Sequence, residues 1–147
     1  MKKTVCAILF LLGGLPFAAG YAMSHWMMAH EDTTTNLFLV GLIFLLAVMA
    51  VGFFANKSVG NPKHVVLSLM VIPAVVLALI GVQELVFHQY WTNAAGVATQ
   101  LYYLPLIHMG FSLTFWTPAV FPAYLAAFLL MALAAWAGCS VQKGRRK

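Results

Sequence analysis

The sequence predicts an all-α integral membrane protein, a four-transmembrane-helix bundle with N- and C-termini both inside and an interfacial or re-entrant segment before the last span. Three observations carry this. Of the 147 residues, 63% are hydrophobic and only 7% charged, where a soluble domain carries roughly 25% charged residues. A water-soluble fold of this length could not hide so much apolar surface in one core. Apolar blocks near the roughly 20 residues that cross a bilayer as a helix recur along the chain. The charges are segregated: every Lys and Arg lies in three short polar segments, and the three acids, Glu31, Asp32 and Glu84, lie elsewhere.

The first block, residues 4–28, opens after Lys2 and Lys3 and closes in "AMSHWMMAHED". Its charged start, apolar run and small residues also fit a secretory signal peptide cut after Ala22. The apolar run continues past that point through Trp26, Met27 and Met28, which favours a retained helix. The second block, 37–55, has no polar side chain. The third, 65–87, contains Pro73, which removes one backbone hydrogen bond and predicts a kink. Lone strands would leave backbone groups unpaired in lipid, so these blocks must be helices.

The apolar region from Leu101 to Cys139 is too long for one span and is interrupted by Pro105, Pro118 and Pro122. A span over 119–139 puts Pro122 in its first turn, where proline is tolerated. The preceding aromatic-rich segment, about 89–117, reads as interfacial or re-entrant. Trp26, Trp91, Tyr102, Tyr103 and Trp116 are expected at the headgroup level, which suits rings with polar tips. Four spans put Lys2, Lys3, Lys57, Lys63, Lys143, Arg145, Arg146 and Lys147 on one side and Glu31 and Asp32 on the other, the positive-inside pattern. The whole chain, 1–147, reads as one membrane domain of the bacterial inner membrane.

The formal net charge of +5 does not point to nucleic acid, because no aromatic-basic platform accompanies it. The expected partners are the lipid bilayer and another membrane protein or a second copy of this chain. Ala123, Ala127, Ala134 and Gly138 recur along one side of the last span. Small residues there permit close helix approach, which drives packing in lipid. Cys6 and Cys139 form no CxxC pair and lie near the expected cytoplasmic surface, where thiols stay reduced.

Chemistry-bearing residues are few. His25, His30, His88 and His108 are all expected on the outer side, with Glu84 one turn from the outer end of the third span. Glu84 and His88 are four apart and would share a helix face. With Met23 and Met27 near His30, the set is compatible with copper, zinc or haem, a thioether-imidazole mixture suiting copper better than zinc, but interface histidines need no ligand and a cofactor is not the favoured reading. The spacing of His25 and His30 opposes a clamp within one helix, since five residues turn the helix by about 140° from register. An ionisable group within a span, as Glu84 is, is a functional candidate on its own.

No nucleophile motif, phosphate loop or carboxylate pair is present, so no catalytic residue is assigned and enzymatic activity is not expected. The leading expectation is a non-enzymatic accessory, assembly, subunit or immunity/exclusion-type component acting through helix–helix contacts. The alternatives are a metal or haem protein built on the outer His/Glu/Met set, and an oligomeric small transporter or pore.

Overall fold

The computed structural model describes residues 2–30 and 35–144. Glu31 and Asp32, expected as the first watery residues outside the membrane, lie outside the described residues, as do Arg145, Arg146 and Lys147. All the regular structure described is helical: α1 (Lys2–Leu12), α2 (Leu15–Ala29), α3 (Leu37–Val59), α4 (Pro62–Gly81, continued by a π-helical turn over Val82–Val86), α5 (Ala94–Tyr102), α6 (Leu104–Leu113) and α7 (Phe121–Gly144). Four stretches are long and apolar enough to cross a membrane: Thr4–Ala29, Leu37–Val59, Pro62–Val86 and Phe121–Gln142.

The first stretch is two helices rather than one. Pro16 has no N–H, and the Gly14 N–H turns back to Leu11 O at 2.9 Å. Phe17 donates to Gly14 O at 3.1 Å and so leaves the Gly13 carbonyl without its usual i+4 donor. The loop expected over 56–64 contracts to Gly60 and Asn61. Gly60 ends α3 at φ 72°, a left-handed conformation that favours glycine. Asn61 Oδ1 then accepts from Lys63 N–H at 3.1 Å, and Pro62 starts α4 without needing a donor. The turn gathers Leu9, Ala55, Val59, Val65 and Cys139 into a small buried cluster. This is the basic end of the bundle, where α1 begins, α3 meets α4 and α7 finishes.

The aromatic segment is a pair of short helices that meet at Tyr103. α5 packs on α2 and α4, and α6 on α3 and α7. The pair therefore wedges into the half of the bundle away from the basic end. Tyr102 and Tyr103 at its tip are each 1% exposed, which corrects their expected place as headgroup anchors. Tyr102 Oη donates to Gly13 O at 2.6 Å and Tyr103 Oη to Pro73 O at 2.7 Å. Gly13 and Pro73 lie near the middles of their stretches, where water cannot serve as the partner for a hydroxyl or a spare carbonyl. Trp26 and Trp116 are exposed and Trp91 is half-buried.

α7 and α3 share the most extensive contact of any helix pair described. Ala123, Ala127 and Gly138 are buried, and Ala134 is half-buried beside a fully buried Ala135. The buried side of α7 runs Ala123, Ala127, Met131, Ala135 and Cys139, a spacing of four that keeps one face toward the core. A methyl added at Gly138 would lie 2.0 Å from Met49 O, and one at Gly52 2.5 Å from Ala135 O. The two backbones are thus in near contact through glycines that a larger side chain would force apart.

Gly138→Ala should lower stability in detergent by about 1–3 kcal/mol through overpacking against backbone. Tyr102→Phe strips the hydroxyl that serves the Gly13 carbonyl and should cost about 1–2 kcal/mol. Tyr103→Phe should cost less, because an intact helix carbonyl has its own donor. Reversible unfolding of purified protein in mixed micelles measures all three, and an equal, negligible effect of both tyrosine variants would contradict the assignment.

Candidate functional site

The densest polar chemistry lies at the end of the bundle away from the basic turn, where α4 unwinds. The π-helical turn places Gln83 inward, fully buried, and Glu84 beside it, partly buried. Gln83 Nε2 donates to Thr99 Oγ1 at 3.1 Å, and its Oε1 accepts the Trp91 N–H at 3.0 Å. Thr99 Oγ1 in turn donates to Gly96 O at 2.7 Å. One side chain thereby fastens the α4 terminus, the Trp91 turn and α5. The start of α5 is capped by Asn93, whose Oδ1 accepts from Gly96 N–H at 2.8 Å.

Glu84 faces the other way. Its Oε1 accepts the Val120 N–H at 3.1 Å, and its Oε2 accepts the Tyr90 hydroxyl. Val120 O receives the first amides of α7, from Ala123 at 2.9 Å and Tyr124 at 3.4 Å. The carboxylate therefore sits at the N-terminus of α7, where an orphan N–H and the positive end of the helix dipole both favour an anion. Burial first, then the hydrogen bond and charge of Glu84, push the Tyr90 phenol above its ordinary value of 10.0. The phenol stays protonated and keeps donating at neutral pH. A raised folded-state value makes this stabilisation present below pH 10, to be lost only as the pH climbs beyond it.

The histidines do not join this cluster. α4 has ended before His88, which is exposed at φ 52°, so Glu84 and His88 do not share a helix face. The expected shared face is not formed, because the helical turns close at Val86 and His88 follows in a left-handed conformation. His25 is exposed and stacks on Tyr21, with ring centroids 6.5 Å apart. His30 stacks on Trp26 at 4.8 Å, and its Nδ1 donates to Trp26 O at 3.0 Å. His108 is exposed on α6. Among the described residues no group of three or more His, Cys, Asp or Glu side chains could hold a metal ion. The expected copper, zinc or haem ligands are thus present but dispersed.

A second polar knot lies at the basic end. Asn56, 2% exposed, donates through Nδ2 to Cys139 O and Gln142 Oε1, both at 3.0 Å. Cys139 Sγ lies 3.4 Å from Gly52 O, as a thiol donor would. Asn56 Oδ1 is buried and finds no hydrogen-bond partner among the described residues. Sequence reading passed over Gln83, Asn56, Thr99 and Gln142. A signal was available: amides standing in or beside apolar blocks need hydrogen-bond partners.

Glu84→Gln keeps an oxygen for Val120 and should be tolerated better than Glu84→Ala, which strands the N–H and should cost about 1–3 kcal/mol. Thermal unfolding of the two variants in one detergent separates them. Equal stability of wild type and Glu84→Ala would remove the structural role.

No protein family, no curated protein and no solved structure matches this chain.

Proposed function

We propose that this chain is a small polytopic accessory of the bacterial inner membrane, acting without catalysis through contacts between its helices and those of another membrane protein. The observation that carries the reading is how the interior polar groups are used. Gln83, Glu84, Thr99, Tyr102 and Tyr103 hydrogen-bond within the chain itself, while the outward faces present bulky apolar side chains. On α3 alone Phe38, Leu39, Ile43, Leu46 and Phe54 are exposed. Such a surface offers helix packing to lipid or protein and few groups for substrate chemistry.

The same reading sets the topology. Lys57 and Lys63 flank the α3–α4 turn, and Lys2 and Lys143 stand near the helix termini at that end. The positive-inside rule then makes it cytoplasmic, and α5–α6 becomes a re-entrant pair entering from the outer face. Retention of residues 1–22 is part of the proposal. Leu9, Pro16 and Gly20 are buried, and Gly13 holds Tyr102, so cleavage after Ala22 would remove packed structure.

A transporter reading draws on one feature, the interrupted first helix, since broken helices line binding sites in many transporters. Here the freed Gly13 carbonyl is already taken by Tyr102, which favours the accessory reading.

Mild-detergent purification at native expression level should recover a stoichiometric membrane partner, and the mature mass should include residues 1–22. A strictly monomeric or homo-oligomeric preparation would overturn the accessory reading. Stoichiometric copper or zinc, or a Soret band, would instead revive the metal or haem alternative. Substrate flux into proteoliposomes of the purified chain alone would support the transporter.

A further inference from the structure

A cavity of about 90 Å³ lies among α1, α2, α3, α4 and α7. We propose that it binds a segment of one acyl chain of a membrane phospholipid, a few methylenes long, held within the bilayer core. Its lining residues come from the middle of every long stretch: Gly13 and Pro16 of the first, Val48 of the second, Met70 of the third and Met131 of the fourth. All its lining side chains are apolar. Nothing in it can recognise a headgroup, and an apolar cavity with no polar partners stays dry. At this depth the abundant molecule that fits is hydrocarbon.

The cavity has a structural cause. Past the Gly13–Gly14 break, α2 leans on α5 and α6, and α6 rather than α2 packs on α3. The hairpin thus holds α2 and α3 apart in its own half of the bundle. Beneath its tip nothing replaces it, and the gap remains. The rim includes Leu15, 54% exposed, and Ala47, also exposed. The mouth therefore opens sideways onto the surface that faces lipid, where a chain can slide in without crossing water. Phe44 and the two methionines supply a soft wall that adapts to a flexible guest.

The test uses the full chain in vesicles of phosphatidylethanolamine and phosphatidylglycerol carrying a trace of phosphatidylcholine with a diazirine in mid-acyl chain. Photolabelling mapped by mass spectrometry should concentrate on residues 12–16 and 44–51. Ala47→Phe plugs the mouth from a lipid-exposed position and should leave helicity and thermal unfolding unchanged. It should reduce labelling of residues 12–16 roughly tenfold while labelling at Leu133 and Val141 on α7 persists. Uniform labelling of all lipid-facing positions, or labelling at 12–16 undiminished in Ala47→Phe, would overturn the site. Displacement of the label by a long isoprenoid quinone, but not by unlabelled diacyl lipid, would overturn the acyl-chain assignment.

Discussion

The fold depends on two adjacent hydroxyls. Tyr102 and Tyr103 reach from the tip of the α5–α6 pair to carbonyls of the first and third long stretches. In hydrocarbon a carbonyl released by a helix break has no water to turn to, and a phenol has none either. Each group is tolerable there because of the other. The break at Gly13–Gly14 admits the hairpin, and the hairpin satisfies the break. Tyr103 stands edge-on to both Tyr102 and Tyr124, with ring centroids 4.9 and 5.9 Å apart. The tip is therefore held by packing as well as by hydrogen bonds.

Around that centre the backbones approach closely. Gly13 lies against Leu69 O, the carbonyl that Pro73 cannot serve for want of an N–H. Gly20 lies against Leu101 O, and Gly110 against Ala123 O. Each contact brings a helix face without side chains against a neighbouring backbone. With no hydrophobic force between helices in lipid, such contacts and the buried hydrogen bonds supply the cohesion. The polar knots at Gln83 and Asn56 pin the two ends, so the bundle is held at three levels along its length.

The same geometry connects stability to the proposed roles. A hairpin that enters only one half of the bundle closes that half and leaves a gap in the other. Polar groups are drawn inward to hold the hairpin, and the outward surface is left to apolar side chains. An accessory that meets lipid and partner helices needs such a surface. A lateral cavity that opens onto lipid is a by-product of the wedge that the tyrosines anchor.

The number of long helices and their approximate limits were legible in the sequence, because hydropathy and charge segregation act locally; the loop expected over 56–64 is instead the two-residue turn Gly60–Asn61. Even there the limits moved by several residues where caps, rather than hydropathy, ended a helix. The small-residue face of α7 could be read in part; Ala135, not Ala134, lies at its buried centre because the four-residue spacing runs on from Ala127. What no local pattern could supply was partnership across the bundle. The histidines read as a site because charge patterning assigned four of them to one side, yet the helical turns of α4 close at Val86, before His88, and Glu84 accepts from Val120. Tyr102 and Tyr103 had the chemistry of surface anchors, and only the docking of α5–α6 put them at the centre. The sequence by itself determined which segments leave water, since that depends on composition alone. The tertiary structure decided which polar group answers which, because in lipid each must find its partner within the protein.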